Sequence, residues 1–225
     1  MIDAKRVLYE DNHLIAINKY PGDLSQGDKT GRPPLGEEVK LYLKEKYNKP
    51  GDVFLGVIHR IDQPVSGVML FARTSKALER MTRLIREREF VKTYWAVVKN
   101  QRNLPVKGLL KHYISRAQNK NVSIANTKEV NDSKLALLSY EVTNVVKEFS
   151  LLKIIPTTGR QHQIRVQLAK INCPIVGDVK YGYAQANKDA SICLHAGQLE
   201  FVHPVKKEKL MIQCDWPEQL IWKLF

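Results

Sequence analysis

The sequence predicts an α+β fold with a mainly antiparallel, mixed β-sheet core flanked by helices and loops. Segments with the pattern of β-strands outnumber helical segments, and they occur in adjacent runs rather than in strict β-α-β alternation. The chain contains no internal repeat and no low-complexity tract. Its 225 residues, 44% of them hydrophobic, suffice for a sizeable core, and without an evident linker we expect a single domain over residues 1–225.

The first third of the chain predicts a hairpin, a helix and a loop between two strands. Residues 7–9 and 14–18 are short apolar runs joined by a turn-prone Glu-Asp-Asn segment. Residues 36–47 have helical spacing of apolar positions, and the following Pro-Gly pair ends that helix. Residues 53–61 and 68–72 are rich in β-forming side chains, and the Gln-Pro-Val-Ser-Gly segment between them predicts a loop that can present reactive groups.

A basic amphipathic helix and a long strand are expected next. Thr74 can cap a helix that runs to about Arg88, and residues 90–98 alternate as a strand with Tyr94 and Trp95 on opposite faces. The apolar side of this helix holds Leu78, Met81 and Ile85, and the basic side holds Lys76, Arg80 and Arg83.

The remaining chain predicts the rest of the sheet and one more helix. Residues 100–133 are polar and basic, which favours hairpins and loops across a charged surface. Further strands are expected at residues 135–146, 149–156, 192–194 and 199–202, a helix at 161–170 with Ile164 and Leu168 inward, and a turn at Gly177 and Asp178.

Composition excludes several classes of protein. No run approaches the ~18 consecutive apolar residues that a membrane span needs, and the first residues lack the apolar stretch of a signal peptide. We therefore expect a cytoplasmic protein that does not act at a membrane. Cys173, Cys193 and Cys214 show no Cys-x-x-Cys spacing, so they are expected to be small buried side chains in a reducing compartment.

The positive charge is concentrated in one quarter of the chain. Lys and Arg number 36 against 23 Asp and Glu, which gives a formal net charge of +13. Between Arg73 and Lys128 there are fourteen basic and three acidic residues, so this stretch carries +11 of that charge. Such clustering is typical of proteins that neutralise phosphates, and nucleic acid is the natural partner. A solvated basic face without a partner is the alternative, and an anionic membrane surface has less support.

Common cofactor and metal motifs are missing. The six histidines include no His-Glu-x-x-His motif and no paired Cys/His spacing, and the chain has no phosphate-binding, dinucleotide-binding or Gly-x-Ser-x-Gly motif. We therefore expect no cofactor and no metal site. The densest polar stretches are residues 59–67 and 157–165. Asp62 in the first could be a turn residue, an ion-pair partner or a nucleophile, and the pattern around Arg165 in the second is more typical of a surface residue.

Both polar stretches resemble the signatures of the RluA-type pseudouridine synthases. Residues 59–67, His-Arg-Ile-Asp-Gln-Pro-Val-Ser-Gly, match the family pattern H-R-L-D-x-x-T-S-G, and residues 158–165 match T-G-R-x-H-Q-I-R. Residues 92–96 and 177–182 are similar to the family patterns K-x-Y-x-A and G-D-x-x-Y-G. Shorter matches are Leu194-His195-Ala196 and His203-Pro204, so the resemblance spans nearly the whole chain. Departures are Tyr20, Val65 and Gln167, where proline, threonine and histidine are usual.

The resemblance implies the pseudouridine synthase catalytic fold and isomerisation of specific uridines in ribosomal RNA or tRNA, without ATP or metal. It implies that Asp62 is the catalytic residue, as a nucleophile at sugar or base or as a base toward the sugar. Arg165 would form a salt bridge with that carboxylate. Tyr94 would lie against the uracil, either stacking only or also taking the carbon 5 proton, although a phenol ordinarily ionises near pH ~10.

The resemblance also suggests which side chains contact RNA. Arg60 would either fill the space that a flipped base vacates or bind a phosphate. The other expected contacts are His59, Lys76, Arg80, Arg83, Lys92, Arg160 and His162. Because the first strand begins by about Val7, we expect no separate N-terminal RNA-binding domain, and a monomer is the default. Two alternatives remain: an RNA-binding or ribosome-assembly protein with little or no catalysis, and, with less support, a nucleic-acid hydrolase that uses Asp62.

Overall fold

The computed structural model describes residues 1–27, 31–100, 104–118 and 121–225. They form two compact units, which we call the first unit (residues 1–91 and 196–215) and the second unit (residues 92–195 and 216–225). The α+β class with a mainly antiparallel sheet is confirmed, whereas the single domain stays a prediction. The basic residues Arg102 and Lys120 of the 73–128 stretch lie outside the described residues.

The described part of the chain contains three α-helices, three short 3-10 helices and eleven strands. The α-helices are α1 (Leu35–Lys46), α2 (Ser75–Arg86) and α3 (Gln163–Lys170). The strands are β1 (Val7–Glu10), β2 (Leu14–Lys19), β3 (Gly56–Val57), β4 (Ser66–Ala72), β5 (Val91–Lys99), β6 (Lys107–Arg116), β7 (Ser123–Asn126), β8 (Lys134–Val146), β9 (Phe149–Pro156), β10 (Leu194–Val202) and β11 (Lys209–Gln213).

Helix α2 covers the sheet of the first unit. In this unit β2 pairs with β1 and β4, β4 lies beside β10, and β11 continues the sheet from β10. The hydroxyl of Thr74 accepts a hydrogen bond from the Ala77 N–H at 3.1 Å, which confirms the predicted cap. Ala77, Met81 and Leu84 are buried in the core. The predicted apolar side of Leu78, Met81 and Ile85 is therefore only partly right: Met81 is buried, whereas Leu78 and Ile85 are partly buried and pack against the core.

Strand register places the Asp62 loop at one end of the first-unit sheet. Lys19 of β2 lies opposite Gly67 of β4, and Leu14 lies opposite Ala72 at the other end. Gly67 has φ +119°, and a Cβ there would collide with the backbone of Ala196 on β10. Only glycine fits this close approach between two strands, which explains the last residue of the 59–67 motif.

A buried histidine, His203, lies at the opposite end of the same sheet and connects two turns. The Nδ1 atom of His203 accepts hydrogen bonds from the backbone N–H groups of Val205 (3.2 Å) and Lys206 (2.9 Å). Its Nε2 atom lies 3.0 Å from a carboxylate oxygen of Asp11 in the β1–β2 turn. Burial lowers the pKa of His203 and outweighs the opposing effect of Asp11. His203 thus joins two turns as a neutral ring.

The second unit has the strand order β5-β9-β8-β6-β7, and all these neighbours are antiparallel. Helix α3 packs on this sheet through Val166, which meets Ile114, Ala125 and Ala136. The helix begins at Gln163, two residues later than expected, because the preceding His162 has a left-handed φ of +54°. A left-handed residue cannot continue a right-handed helix.

Several strand predictions were wrong in extent. Within residues 53–61 only Gly56–Val57 is a strand, because the chain makes just two pairings with β4. Of the two strands expected at residues 192–194 and 199–202, only Leu194 and residues 199–202 are in a strand, and they belong to one continuous strand, β10; its hairpin partner β11 was not predicted. Strands β6 and β7 pair antiparallel, in agreement with the hairpins expected over residues 100–133, but the pairing of β6 with β8 was not predicted. Local pattern cannot reveal such pairings, because they depend on distant strands.

The cysteines and the helices agree with the composition. Cys173, Cys193 and Cys214 are all buried and free. Over the described ranges, no helix combines the length and the apolar character that a membrane crossing requires.

Candidate active site

The loop that carries Asp62 is held by hydrogen bonds to its backbone. The Ser25 hydroxyl donates to the Ile61 carbonyl at 2.6 Å and accepts from the Ile61 N–H at 3.2 Å. One residue beyond Asp62, the Gln63 carbonyl accepts from the Gly22 N–H at 2.9 Å. The Asp62 side chain itself is partly exposed. A partly exposed carboxylate on a fixed loop is the arrangement that a residue acting on a substrate needs.

A buried lysine lies beneath this loop. Lys19 ends β2 and is completely buried. Its ammonium donates to the carbonyl oxygens of Val65 (2.6 Å), Gln63 (3.1 Å) and Tyr20 (3.1 Å). These three bonds tie the segment after Asp62 to the segment after β2. Sequence reasoning missed Lys19, although a lysine that ends an otherwise apolar strand was the available signal.

Lys19 also places positive charge close to Asp62. Burial lowers the pKa of Lys19 to about 8, while the carboxylates of Asp23 and Asp62 act to raise it. The ammonium is therefore charged at neutral pH despite the loss of solvent. The Asp62 loop thus has a buried positive charge beneath it.

The two residues that open the 59–67 motif have different environments. His59 is buried, and its Nε2 atom accepts a hydrogen bond from the Leu70 N–H of β4 at 3.1 Å. Its ring lies 5.6 Å from the ring of Phe90, measured between centroids. Arg60 is exposed, and its Nη1 donates to the Gln26 side chain at 2.7 Å. The structure thus places His59 in the core, where it anchors the loop, and Arg60 on the surface.

In the second unit, Arg165 is held by a carboxylate. Its Nε and Nη2 atoms donate to the two oxygens of Asp178 at 2.7 and 2.8 Å. The side chains of Arg165 and Asp178 are only 4% and 1% exposed. The guanidinium carbon also lies 5.0 Å from the centroid of the Tyr181 ring. The pattern-based expectation of a surface arginine is therefore wrong, because tertiary packing buries the whole of this helix turn.

Tyr181 connects His162 to the same cluster. Its hydroxyl shares a 2.7 Å hydrogen bond with His162 Nδ1 and accepts another from the Ser123 N–H at 2.8 Å. Burial raises the pKa of Tyr181, so its hydroxyl stays protonated at neutral pH. His162, one of the predicted RNA contacts, is buried as well, and its hydrogen bond supports the position of Tyr181. Asp178 and Tyr181 occur in the matched motif 177–182, but sequence reasoning gave neither a role in the site.

The side chain of Gln163 organises the segment that leads into α3. Its Oε1 atom accepts from the Thr158 hydroxyl at 2.8 Å and from the Arg160 N–H at 3.0 Å. Its Nε2 atom donates to the Leu137 carbonyl of β8 at 3.0 Å. Arg160 is exposed, and its Nε donates to the Leu135 carbonyl at 3.0 Å. The motif 158–165 therefore encodes a fixed turn that sets the direction of α3.

Tyr94 lies in the middle of β5 in the second unit. It is buried and pairs with Ile154 of β9. On the opposite face of β5, Trp95 packs edge-on against Trp216 with ring centroids 5.5 Å apart. Lys92 at the start of the strand is partly buried, and burial lowers its pKa. The predicted opposition of Tyr94 and Trp95 across the strand is consistent with this packing.

The basic face of α2 is exposed. Lys76, Arg80 and Arg83 all lie on the solvent side of the helix. Arg80 Nη1 donates to the Pro204 carbonyl at 3.3 Å, and Arg83 Nε lies 3.9 Å from Glu87. Both contacts are loose, so the three side chains can reach phosphates by changing rotamer.

Two departures from the family pattern have structural explanations. Val65 is buried, so its position faces the interior, and valine there lacks the hydroxyl of the usual threonine. Gln167 is fully buried, and its Nε2 atom lies 3.2 Å from the Leu110 carbonyl, 3.3 Å from the Ala136 carbonyl and 3.1 Å from His112 Nδ1. The amide thus links α3 to β6 and β8 from within the core.

The three residues assigned to chemistry belong to different parts of the chain. Asp62 belongs to the first unit, and Tyr94 and Arg165 belong to the second. Within the ranges that the structure describes, no group of three His, Cys, Asp or Glu side chains is arranged to hold a metal ion.

Comparison with known proteins places these features in a family. A family model described as RNA pseudouridylate synthase matches residues 13–170. Among solved structures, human RNA pseudouridylate synthase domain containing 4 has a similar fold, with a TM-score of 0.81 and 24% identity over 98% of this chain and 92% of that one. The chain belongs to the RNA pseudouridylate synthase family, and its resemblance to the RluA-type members is confirmed.

Curated relatives carry two kinds of name. The chain is 31% identical over 213 residues to the ribosomal large subunit pseudouridine synthase C of Buchnera aphidicola, covering 92% of this chain and 65% of that protein. It is 30% identical over 231 residues to the tRNA pseudouridine synthase C of Haemophilus influenzae, covering 95% of this chain and 93% of that protein. The chain thus spans about two thirds of the first relative and nearly all of the second.

Proposed function

We propose that the protein is an isomerase that converts specific uridines of ribosomal RNA or tRNA to pseudouridine, with Asp62 as its catalytic residue. Family membership supports the reaction class. The observation that carries the assignment to Asp62 is its loop: the carboxylate is partly exposed, while Ser25 and Lys19 fix the backbone on both sides of it. A rigid loop with one accessible carboxylate has no evident use in packing alone.

The reaction balances without a co-reactant. The bond between uracil N1 and ribose C1′ breaks, and a bond between C5 and C1′ forms. A proton leaves C5, and N1 gains one. Asp62 would start this sequence, either by attacking the sugar or the base or by taking a proton from the sugar. The charged Lys19 ammonium provides positive charge close to this carboxylate in each of these roles.

Tyr94 and Arg165 complete the proposed catalytic set. Arg165 would pair with the Asp62 carboxylate, and Tyr94 would lie against the uracil, stacking on it or also removing the C5 proton. Two observations support these roles: Arg165 is buried with its orientation fixed by Asp178, and Tyr94 is a buried aromatic side chain in the middle of β5. A buried guanidinium with a fixed plane is suited to bidentate carboxylate binding.

The substrate must be RNA in which the target uridine can leave its stack, at a cost of a few kcal/mol if the base is paired. Exposed Arg60 would fill the vacated space or bind a phosphate. The basic face of α2 and Arg160 would hold the RNA backbone, which contributes affinity rather than sequence choice. Because one relative is named for ribosomal RNA and another for tRNA, both RNA classes are candidate substrates.

We further propose that the protein acts in the cytoplasm as a monomer. Light scattering after size-exclusion chromatography tests the oligomeric state.

Release of tritium from RNA labelled at uracil carbon 5 tests the function. Purified protein is incubated separately with bulk tRNA and ribosomal RNA, without added cofactor. We expect stoichiometric release from at least one pool, abolished by Asp62→Ala with RNA affinity within a few-fold of the wild type. Asp52→Ala, at an exposed aspartate of the same unit, is the matched control and should retain full activity.

Two results would contradict the proposal. Full tritium release by Asp62→Ala would remove Asp62 from the chemistry. No release from either pool by the wild type, with salt-sensitive RNA binding intact, would favour an RNA-binding or assembly protein on this fold.

A further inference from the structure

Tyr20 is an exposed aromatic residue beside the Asp62 loop. It stands where the family pattern has proline, and 49% of its surface is exposed. Its backbone is fixed at both ends: the N–H donates to Asp23 at 2.9 Å, and the carbonyl accepts from the Lys19 ammonium at 3.1 Å. The residue is thus held in place although its ring is open to solvent.

A cation covers one face of the Tyr20 ring. The guanidinium carbon of Arg6 lies 4.3 Å from the ring centroid. Arg6 is itself fixed, since its Nε donates to the Asn18 carbonyl at 3.0 Å and its Nη2 forms an ion pair with Asp23. Because Arg6 and the backbone of Tyr20 are already held in place, little conformational entropy is lost when a planar group binds against the other face of the ring.

Lys19 couples the position of Tyr20 to that of the catalytic loop. The carbonyl oxygens of Tyr20 and Gln63 both lie 3.1 Å from the same Lys19 nitrogen, so they are at most about 6 Å apart. Gln63 directly follows Asp62. The backbone at Tyr20 and the backbone next to Asp62 are thus separated by no more than about the spacing of adjacent nucleotides in a strand, and both residues lie at the same end of the first-unit sheet.

We propose that Tyr20 binds a nucleobase of the substrate RNA by stacking, at a nucleotide adjacent to the target uridine, with Arg6 behind the ring. This inference rests on the proposed function. Every base has a π-face, so the site selects an unstacked neighbour rather than a particular base. Arg6 adds positive charge beneath the stacked pair, which suits a polyanionic strand. Proline at this position would offer no aromatic face, so the contact is a property of this chain.

The protein provides a matched control for this residue. Tyr47 is 45% exposed, and the Arg73 guanidinium lies 4.8 Å from its ring centroid. Tyr47 binds Glu10, and Arg73 follows Ala72, so this second tyrosine lies at the end of β4 away from Gly67. It has the same chemistry and exposure as Tyr20 but a different place.

The test measures steady-state tritium release from the active RNA pool for Tyr20→Ala, Tyr20→Leu, Tyr20→Phe and Tyr20→Trp. Loss of one base stack corresponds to roughly 5- to 150-fold weaker binding. We expect KM to rise by this factor for the Ala and Leu variants with kcat within twofold, and to stay within twofold for Phe and Trp. Tyr47→Ala should match the wild type. Circular dichroism and the thermal midpoint verify folding; the Leu variant keeps apolar packing on Arg6 but cannot stack.

A binding experiment separates stacking from charge. Fluorescein-labelled 12-nucleotide oligouridine is compared with an oligonucleotide of the same length and charge whose nucleotides lack bases. Tyr20→Leu should weaken binding of the first and leave binding of the second unchanged. Equal loss on both probes, or a wild-type KM for Tyr20→Leu, would overturn the stacking site. If the wild type releases no tritium, the proposed function fails, and the two probes still decide whether Tyr20 stacks on a base.

Discussion

Replacing Asp178 by asparagine tests the idea that this carboxylate fixes Arg165. The substitution keeps the shape of the side chain and removes its charge. In the native protein the pair has two charge-assisted hydrogen bonds of 2.7 and 2.8 Å, and both side chains are at most 4% exposed. Removing the charge of one partner takes two charge-assisted hydrogen bonds away from a buried guanidinium, and breaking a buried pair in this way costs about 3–5 kcal/mol. Since the asparagine oxygen can still accept one bond, we expect a loss near the lower end, about 3 kcal/mol.

Urea denaturation followed by tryptophan fluorescence measures this loss where it arises. All three tryptophans, Trp95, Trp216 and Trp222, belong to the second unit, as do Arg165 and Asp178. The free energy of unfolding follows from the midpoint and the slope, and an unchanged slope shows that the same surface unfolds.

Glu141→Gln provides a control in the same unit. Glu141 lies 3.0 Å from Lys107, but the two side chains are 44% and 71% exposed. An exposed pair contributes only about 0–1 kcal/mol. The double variant Arg165→Met/Asp178→Asn should lose less than the sum of the two single variants, because the guanidinium that Asp178 binds is removed as well.

Two results would refute the reasoning. A loss below about 1 kcal/mol for Asp178→Asn, comparable to the exposed control, would mean that the pair does not stabilise the second unit. Strict additivity in the double variant would mean that the two side chains do not interact. With the fold intact in mild conditions, kcat for tritium release should fall more than KM rises, because Asp178 acts through the orientation of Arg165.

Three other changes have distinct signatures. Gly67→Ala should lower the free energy of unfolding by about 3 kcal/mol or more, because the strain of a left-handed backbone adds to the clash with Ala196. The thermal midpoint measures this loss, and a near-native midpoint would contradict the close approach of the two strands. Thr74→Ala should lower the free energy of unfolding, measured by urea titration, by ~1 kcal/mol, and Thr74→Ser should leave it almost unchanged. Equal losses for the two variants would exclude the side-chain cap. His203 has a folded pKa below its unfolded value of 6.5, so the unfolded state binds more protons and stability falls as pH drops below 6.5. His203→Gln should therefore narrow the difference in thermal midpoint between pH 7 and pH 5.5, and an unchanged difference would refute this cause.

The polar loop that carries Asp62 could be predicted because its signals are local, whereas the roles of Asp62 and Arg165 came from the resemblance to the family. Asp62 lies in a polar loop between apolar strands, and Thr74 precedes a run with helical spacing; both features depend on residues a few positions apart. The roles of His59 and His162 could not be predicted in this way. Their polar rings are buried against Leu70 and Tyr181, which are distant in sequence.

The sequence by itself determined the order of the motifs, the charge distribution and the class of fold, because periodicity, capping and turn residues act over short distances. Only the tertiary structure decided which polar residues became buried. It placed Lys19 under the Asp62 loop and Asp178 against Arg165, and it left Tyr20 exposed beside both the loop and Arg6. The physical reason is that burial and ion pairing depend on which distant segments meet, and neither is written in the spacing of neighbouring residues.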